Sequence, residues 1–176
     1  MTLPAGVDRD YPLARLTTVR AGGDAELFAR PASEAELVEL LAWAAEEAVE
    51  VEAALAALRE LEPRRLIAVF QPHLYSRTKA LAARFGGALA TADEVGVLDV
   101  YAAREEPVGE LAGVSGLDVA RAVADRSAGR PVWWLRDLES AARAIGPRLR
   151  DGDLLVTLGA GDVWKLARAV TEREGG

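Results

Sequence analysis

A chain of 176 residues, 51% of them hydrophobic, can bury a core and fits one domain or one domain with an appendage. It has no cysteine and a single histidine, His73, which excludes disulfide scaffolds, thiolate metal sites and multi-histidine metal sites. The net charge is −7 and the 21 basic residues are spread along the chain, which argues against a nucleic-acid partner.

The beginning of the chain gives no sign of export. Met1–Gly6 has neither the basic start nor the apolar run of a signal peptide. Apolar runs elsewhere stay well short of the roughly 20 residues that a membrane span needs. We therefore expect a cytoplasmic protein without a membrane span.

The first fifty residues predict a short strand-helix appendage. Residues 20–24 predict a turn, Glu26–Arg30 a short strand, and Ser33 with Glu36 a capping box that opens a helix. That helix meets no glycine or proline before Pro63, which makes it longer than most globular helices. Because its middle is acidic and partly β-branched, we predict a seam there, between a segment 1–50 and a domain 51–176.

From Leu66 onward, short apolar runs alternate with amphipathic segments, a pattern typical of strands joined by helices in a parallel sheet. The predicted strands are Leu66–Phe70, Val95–Val100, Pro131–Leu135 and Leu154–Leu158. Four helices are predicted. The first follows Thr78, and the second runs from about Leu117 to Ala128. The third runs from the capping Asp137 to about Leu149, and the fourth follows Asp162. Right-handed crossovers then give an α/β fold with a mostly parallel sheet and flanking helices. The four tryptophans are predicted to serve packing.

Polar loops follow three of these strands, at the edge where open parallel sheets bind ligands. In the first loop, Gln71 to Thr78, His73 lies just outside the next helix and Arg77 in its first turn if Ser76 or Thr78 caps that helix. A helix N-terminus with a guanidinium suits a carboxylate or a phosphate. The alternative is that Arg77 pairs with a surface acid and His73 only closes the loop.

The other two loops are less specific. Asp99 ends an apolar strand and could orient a base or a metal-bound water, whereas Glu105 and Glu106 indicate a solvated charge run. The turn from Gly159 to Asp162 allows close backbone approach to a ligand, although Asp162 could be only a helix cap. The sequence contains neither G-x-x-x-x-G-K-[ST] nor G-x-S-x-G.

Three segments together resemble the C-terminal domain of UDP-N-acetylmuramate–L-alanine ligases: Phe70–Thr78, Leu98–Pro107 and Gly159–Val163. The resemblance covers about residues 51–170 and implies a Rossmann-like domain that closes over an ATPase domain. It implies ATP and Mg²⁺ as cofactors, and L-alanine and UDP-N-acetylmuramate as partners. In the family an acyl phosphate forms and is attacked by the alanine amine. The implied substrate-binding residues are Gln71, His73, Tyr75, Ser76, Arg77 and Asp99, and the implied nucleotide-side residues are Gly159, Gly161 and Asp162.

Two departures from that family limit the expected activity. The family's UDP-sugar and ATP-binding domains are absent from these 176 residues, and Val49–Glu52 stands where an Asp-Tyr-Gly-His-His-Pro-like segment is expected. We therefore expect no catalytic residue, no metal site and no ATP or Mg²⁺ binding by this chain alone. The alternative is a non-catalytic interaction module or chimeric remnant that self-associates through surface normally covered by those domains.

Residues 11–48 resemble a different enzyme of cell-wall synthesis. Pro12–Gly23 and the helix after Ser33 are similar to the start of UDP-N-acetylenolpyruvoylglucosamine reductase, a flavoprotein. The likeness stops before the Gly-Ser-Asn-type loop that would hold the flavin pyrophosphate, so FAD binding is not expected. The resemblance implies a junction near residues 48–52.

Overall fold

The computed structural model describes residues 7–12, 24–33 and 47–171, and the chain divides into two compact units, Met1–Glu47 and Ala48–Gly176. In the first unit, strand β1 (Val7–Pro12) pairs antiparallel with β2 (Asp24–Ala29). Strand β2 confirms the strand predicted around Glu26–Arg30, whereas β1 was not predicted. The turn at 20–24 and the Ser33–Glu36 capping box lie partly outside the described residues.

The second unit contains a parallel sheet of four strands. They are β3 (Arg65–Gln71), β4 (Glu94–Leu98), β5 (Val132–Leu135) and β6 (Asp153–Gly159). Their order is β5-β4-β3-β6, and every neighbouring pair is parallel. All four strands match predicted ones within two residues at each end, so the predicted α/β fold is confirmed.

Five helices are described in this unit: α1 (Glu47–Arg59), α2 (Tyr75–Leu89), α3 (Gly116–Ala124), α4 (Leu138–Ile145) and α5 (Trp164–Thr171). Asp137 caps α4 as predicted, because its carboxylate accepts from the Ser140 amide. Helices α3 and α4 end earlier than predicted. Ala128 and Gly129 have positive φ, which a helix cannot continue, and α4 tightens into a 3-10 turn over Gly146–Arg148.

The sheet is covered by helices on both faces. On β3, the side chains of Leu66, Ala68 and Phe70 join the core formed with α1, α2 and α3. The alternate side chains of Ile67 and Val69 join the core formed with α4 and α5. This alternation follows from the two-residue period of a strand, and it buries the strand on both faces, as its unbroken apolar run indicates.

Charged and aromatic side chains cluster at the amino ends of the strands. The Glu94 carboxylate, 2% exposed, accepts from Arg65 Nη1 at 3.2 Å, from Arg148 Nε at 3.1 Å and from Trp133 Nε1 at 2.9 Å. Arg65 also donates two hydrogen bonds to the buried carboxylate of Asp153, at 3.1 and 2.5 Å. No pattern in the sequence indicates this cluster. We call it the amino-edge cluster, and it consists of Arg65, Glu94, Trp133, Arg148 and Asp153.

The tryptophans differ from their prediction. Trp133 packs within the amino-edge cluster, as predicted, but Trp134 and Trp164 are 37% and 52% exposed and are therefore not core residues. Cations cover their exposed rings instead, Arg136 at 5.8 Å and Lys165 at 5.6 Å from the ring centroids. Trp43 lies outside the described residues. No helix in the described part of the chain has the length and apolar character of a membrane span.

Candidate functional site

The first two predicted loops meet directly. His73 and Tyr101 form a parallel β-bridge, and their ring centroids are 5.9 Å apart. The Tyr101 amide donates to the Pro72 carbonyl at 2.8 Å, and the Leu74 amide donates to the Tyr101 carbonyl at 3.0 Å. These bonds prolong the pairing of β3 and β4 beyond the strand ends. The predicted convergence of the two loops at the carboxyl edge is therefore confirmed.

The third loop packs against the same group. The Ala160 amide donates to the Gln71 carbonyl at 3.1 Å. A Cβ atom on Gly159 would lie 2.2 Å from that carbonyl oxygen, and one on Gly161 would lie 2.7 Å from the Tyr101 ring. Both glycines also have positive φ, 101° and 69°. The loop therefore needs glycine at both positions for its own packing.

Gln71 lies at the centre of the three loops. Its Nε2 donates weakly to the Asp99 carbonyl at 3.4 Å, while its buried Oε1 accepts no hydrogen bond within the described part of the chain. Buried polar atoms normally have a partner, because an unsatisfied acceptor costs free energy. The amide oxygen therefore marks a position where a hydrogen-bond donor is favoured.

The first loop enters helix α2 through a constrained residue. Leu74 has φ 64° and ψ 137°, and its carbonyl accepts from both the amide and the hydroxyl of Thr78, the latter at 2.7 Å. The helix begins at Tyr75, so Ser76 and Thr78 lie in its first turn and the prediction that one of them is the cap is wrong. Arg77 is in the first turn and His73 outside it, as predicted.

Glu105 supplies the missing cap from the second loop. Its carboxylate accepts from the Ser76 amide at 3.0 Å and from the Ser76 hydroxyl at 2.5 Å. Burial alone would raise the pKa of Glu105, but the hydrogen bonds from Ser76 outweigh burial and hold the pKa below its usual range. The prediction of a solvated charge run is thus wrong for Glu105, although Glu106 is exposed.

We expect the contact between Glu105 and Ser76 to depend on pH. A carboxyl whose pKa is lowered on folding stabilises the fold above its unfolded pKa, about 4.3 for Glu, and this contribution is lost as pH falls through the folded pKa. The Ser76 amide resonance should therefore titrate below about pH 4, and Glu105→Gln should remove that titration.

The Ser140 amide is an internal control for this measurement. It is held by Asp137 in the same way, and that carboxyl also has a lowered pKa, caused first by the Ser140 hydroxyl and then by the Ser140 amide. Its titration should persist in the Glu105→Gln variant. A Ser76 titration that persists as well would contradict the cap.

Asp99 is committed to the backbone. Its Oδ1 accepts from the Val100 amide at 3.1 Å and from the Gly116 amide at 2.9 Å, which connects the end of β4 to the start of α3. A Cβ atom on Gly116 would lie 2.0 Å from the Leu98 carbonyl oxygen, so only glycine fits there. Asp99 therefore shapes the edge of the sheet, and its contact with a substrate stays a prediction.

Several polar groups of this edge are committed to contacts within the protein. The described residues contain no group of three or more His, Asp or Glu side chains that could hold a metal ion. The Ala160 amide is already bonded to Gln71, and Asp162 Oδ2 lies 2.9 Å from Lys165 Nζ. The glycine turn is thus closed by contacts within the protein.

The structure brings five residues of the three loops together: Gln71, His73, Asp99, Tyr101 and Gly161. Tyr101 was not among the predicted site residues. No signal in the sequence identifies it, because the register that pairs Phe70 with Val97 shifts by one residue before His73 meets Tyr101. Of the other predicted residues, Tyr75 and Arg77 are half-buried on the first turn of α2, and Ser76 is exposed.

Comparison with known proteins places this arrangement in a family. The family model for the Mur ligase, glutamate ligase domain matches residues 32–161. Residues of the chain are 51% identical over 125 positions to UDP-N-acetylmuramate–L-alanine ligase of Mycolicibacterium vanbaalenii, covering 69% of this chain and 24% of that protein. The corresponding ligase of Mycobacterium avium is 54% identical over 118 residues, covering 65% and 22%. The chain thus spans about a quarter of the length of these curated relatives.

One solved structure supports the fold. It is a domain described as part of a UDP-N-acetylmuramate:L-alanyl-γ-D-glutamyl-diaminopimelate ligase from Haemophilus ducreyi, with a TM-score of 0.51 and 16% identity. The alignment covers 72% of this chain and 82% of that domain. Since the family match covers most of the chain and the sheet has the same fold, the chain belongs to the Mur ligase family, to the part described as the glutamate ligase domain.

Proposed function

We propose that this chain provides the C-terminal substrate-binding domain of an ATP-dependent UDP-N-acetylmuramate–L-alanine ligase in the cytoplasm. The observation that carries the proposal is the unsatisfied Oε1 of Gln71 among the His73, Tyr101 and Gly161 loops, a buried atom that would reach a ligand on rotation of the Gln71 side chain. An ammonium group is a strong donor for such an oxygen, and the guanidinium of Arg77 in the first turn of α2 suits a carboxylate. A small amino acid carries both groups. The identity to two L-alanine ligases supports alanine as that amino acid.

In this proposal the chain binds and orients substrate and does not activate it. Gln71 would accept a hydrogen bond from the amine, and Arg77 would receive a carboxylate, since Glu105 already caps the first turn of α2. Ordering the attacking amine contributes to amide formation by lowering the entropy that the reaction loses. The described residues contain no group of three or more His, Asp or Glu side chains that could hold a metal ion, and we propose that activation of the acid by ATP uses other parts of the ligase.

The exposed aromatic residues at this edge support a protein partner. Tyr101 is 45% exposed and Trp164, at the start of α5, is 52% exposed. Large aromatic side chains are enriched in interfaces, where burial of their rings stabilises the complex. We propose that this edge faces the remaining domains of the ligase. Self-association of the isolated chain through the same residues would appear in light scattering as a dimer.

Titration of the ¹⁵N-labelled chain with L-alanine tests the proposal. We expect the amide resonances of His73, Ser76 and Gly161 to shift, and D-alanine to shift them at least tenfold more weakly because a stereospecific site holds both charged groups. Gln71→Leu, which removes the acceptor but keeps the volume, should abolish the shifts. Phosphate release with ATP, L-alanine and UDP-N-acetylmuramate should be undetectable for the chain alone.

Two results would contradict this proposal. Equal shifts with both alanine enantiomers would show that the edge has no amino-acid site. The absence of any shift with L-alanine, UDP-N-acetylmuramate or ATP, together with a dimer in light scattering, would favour a non-catalytic interaction module.

The origin of the first unit is a separate proposal. We propose that residues 11–48 derive from the start of a UDP-N-acetylenolpyruvoylglucosamine reductase and that the junction lies near 48–52. The Mur ligase match already begins at residue 32, so the two segments overlap in part. Most of the reductase-like motif lies outside the described residues. We expect a colourless purified chain, because the loop that would hold the flavin pyrophosphate is missing. The absorbance of bound flavin would contradict this expectation.

A further inference from the structure

Four arginines line a pocket at the amino edge of the sheet, the edge opposite to the candidate site. The pocket has a volume of about 510 Å³, and its lining consists of Arg64, Arg65, Pro147, Arg148 and Arg150. No acidic residue lines it, in a chain whose net charge is −7. The neighbouring Asp151 lines a different hollow. Positive charge is therefore concentrated at this pocket although the chain as a whole is acidic.

Buried carboxylates hold part of this pocket in position from beneath. Asp153 and Glu94 bind Arg65, and Glu94 also binds Arg148, whose guanidinium carbon lies 4.8 Å from the centre of the Trp133 ring. The side chains of Asp153 and Glu94 are only 1% and 2% exposed, so they neutralise the arginines from the protein side. Two carboxylates against the four guanidinium groups leave two positive charges, because Asp93, which also acts on Arg65, is paired with Arg59.

Several guanidinium donors remain available. Arg64 has one ionic contact, at 3.9 Å to Asp153, and no hydrogen bond from its guanidinium to any described residue. The terminal amino groups of Arg148 likewise donate no hydrogen bond within the described ranges, since only its Nε is bonded to Glu94. Arg150 uses Nη1 for the carbonyls of Pro147 and Leu149. The pocket therefore presents positioned donors together with uncompensated charge.

We propose that this pocket binds a small multivalent oxyanion of the pyrophosphate type. Guanidinium groups form paired hydrogen bonds with phosphate oxygens, and a fixed orientation reduces the entropy lost on binding. Two uncompensated charges match a diphosphate better than a single carboxylate, which would neutralise only one. The anion could be free pyrophosphate or the diphosphate of a nucleotide. This pocket lies at the opposite edge of the sheet from the proposed alanine site. Either proposal can therefore be contradicted while the other holds.

Nuclear magnetic resonance of the whole chain with inorganic pyrophosphate, in EDTA, tests this proposal. The reporter is the indole N–H resonance of Trp133, which donates to Glu94 and lies beneath Arg148. This resonance is assigned to Trp133 because it should be missing from the spectrum of the Trp133→Phe variant. We expect saturable shifts, and at least a tenfold weaker affinity for Arg64→Gln with Arg150→Gln, because both uncompensated charges are removed. ADP measured beside pyrophosphate distinguishes the source: tighter ADP binding indicates a nucleotide, and equal or weaker binding indicates the free anion.

Arg84→Gln with Arg121→Gln is the matched control, since both residues are exposed on α2 and α3 and the net charge changes equally. It should leave the affinity within twofold. Both double variants should keep the circular dichroism spectrum of the parent, because the four arginines replaced are exposed. Equal weakening in the two variants, or no saturable shift with pyrophosphate or ADP, would overturn the proposal.

Discussion

Arg65→Met is expected to lower the free energy of unfolding by about 3–5 kcal/mol, the largest effect of any single substitution considered. Arg65 contacts both Asp153 and Glu94, whose side chains are 1% and 2% exposed. Methionine fills similar volume but leaves two buried carboxylates short of a cation. Most of the lost stability therefore comes from the cost of uncompensated buried charge. Urea unfolding followed by far-ultraviolet circular dichroism measures it.

Two variants separate this effect from a general loss of an ion pair. Arg143→Met breaks the exposed pair with Glu139 and should cost less than about 0.5 kcal/mol. Adding Glu94→Gln and Asp153→Asn to Arg65→Met should recover part of the loss, because the stranded charges are removed. A cost below about 1 kcal/mol for Arg65→Met would show that the cluster does not hold these carboxylates ionised.

The effect of Arg65→Met should also shrink in acid. The hydrogen bonds from Arg65 hold the pKa of Asp153 below its usual range, against the opposing effect of burial. A lowered folded pKa gives stability that is present above the unfolded pKa, about 3.9 for Asp, and is lost as pH falls through the folded value. The difference between parent and variant should therefore decrease as pH falls below about 4.

Gly86→Ala and Gly87→Ala are expected to change stability in opposite directions. A Cβ atom on Gly86 would lie 2.6 Å from backbone and side-chain atoms of Ala122 on α3, whereas one on Gly87 meets nothing within 4 Å. Overpacking at a helix crossing costs about 1–3 kcal/mol, and alanine in an open helix position adds up to about 1 kcal/mol. Each variant is thus the control for the other, because both replace glycine by alanine in the same helix.

The measurement is the midpoint of thermal or urea unfolding for both variants. A lower midpoint for Gly86→Ala with a raised midpoint for Gly87→Ala is the expected result. If both alanines raised the midpoint, the close approach of α2 and α3 would be wrong. Because Ala122 touches through its backbone carbonyl and its Cβ, a rotamer change cannot relieve the contact.

Local patterns in the sequence were sufficient for the four strands of the parallel sheet. The run Leu66–Phe70 is apolar at every position, and such a run predicts a strand covered on both faces, which the two cores confirm. Asp137 followed by an amphipathic segment predicted a capped helix for the same local reason. These features depend on residues within a few positions of one another.

Features that depend on distant residues were missed. The cap of α2 is Glu105, about thirty positions from Ser76, and Arg65 meets Asp153 and Glu94 only because three parallel strands begin at one edge. Gly86 lies inside helix α2 because α3 approaches so closely there that a larger residue would not fit. Hydrogen bonds and close contacts between segments have no periodic signature in the sequence, so pattern analysis cannot find their partners.

The sequence by itself determined that three polar loops follow buried parallel strands, and topology then requires them to share the carboxyl edge. It did not determine which of their side chains remain available for a ligand. Only the tertiary structure decided that Asp99 and Gly159 serve the fold, whereas Gln71 retains an unsatisfied acceptor. The physical reason is that a hydrogen-bonding group is free or committed according to its neighbours in space, and those neighbours come from separate strands.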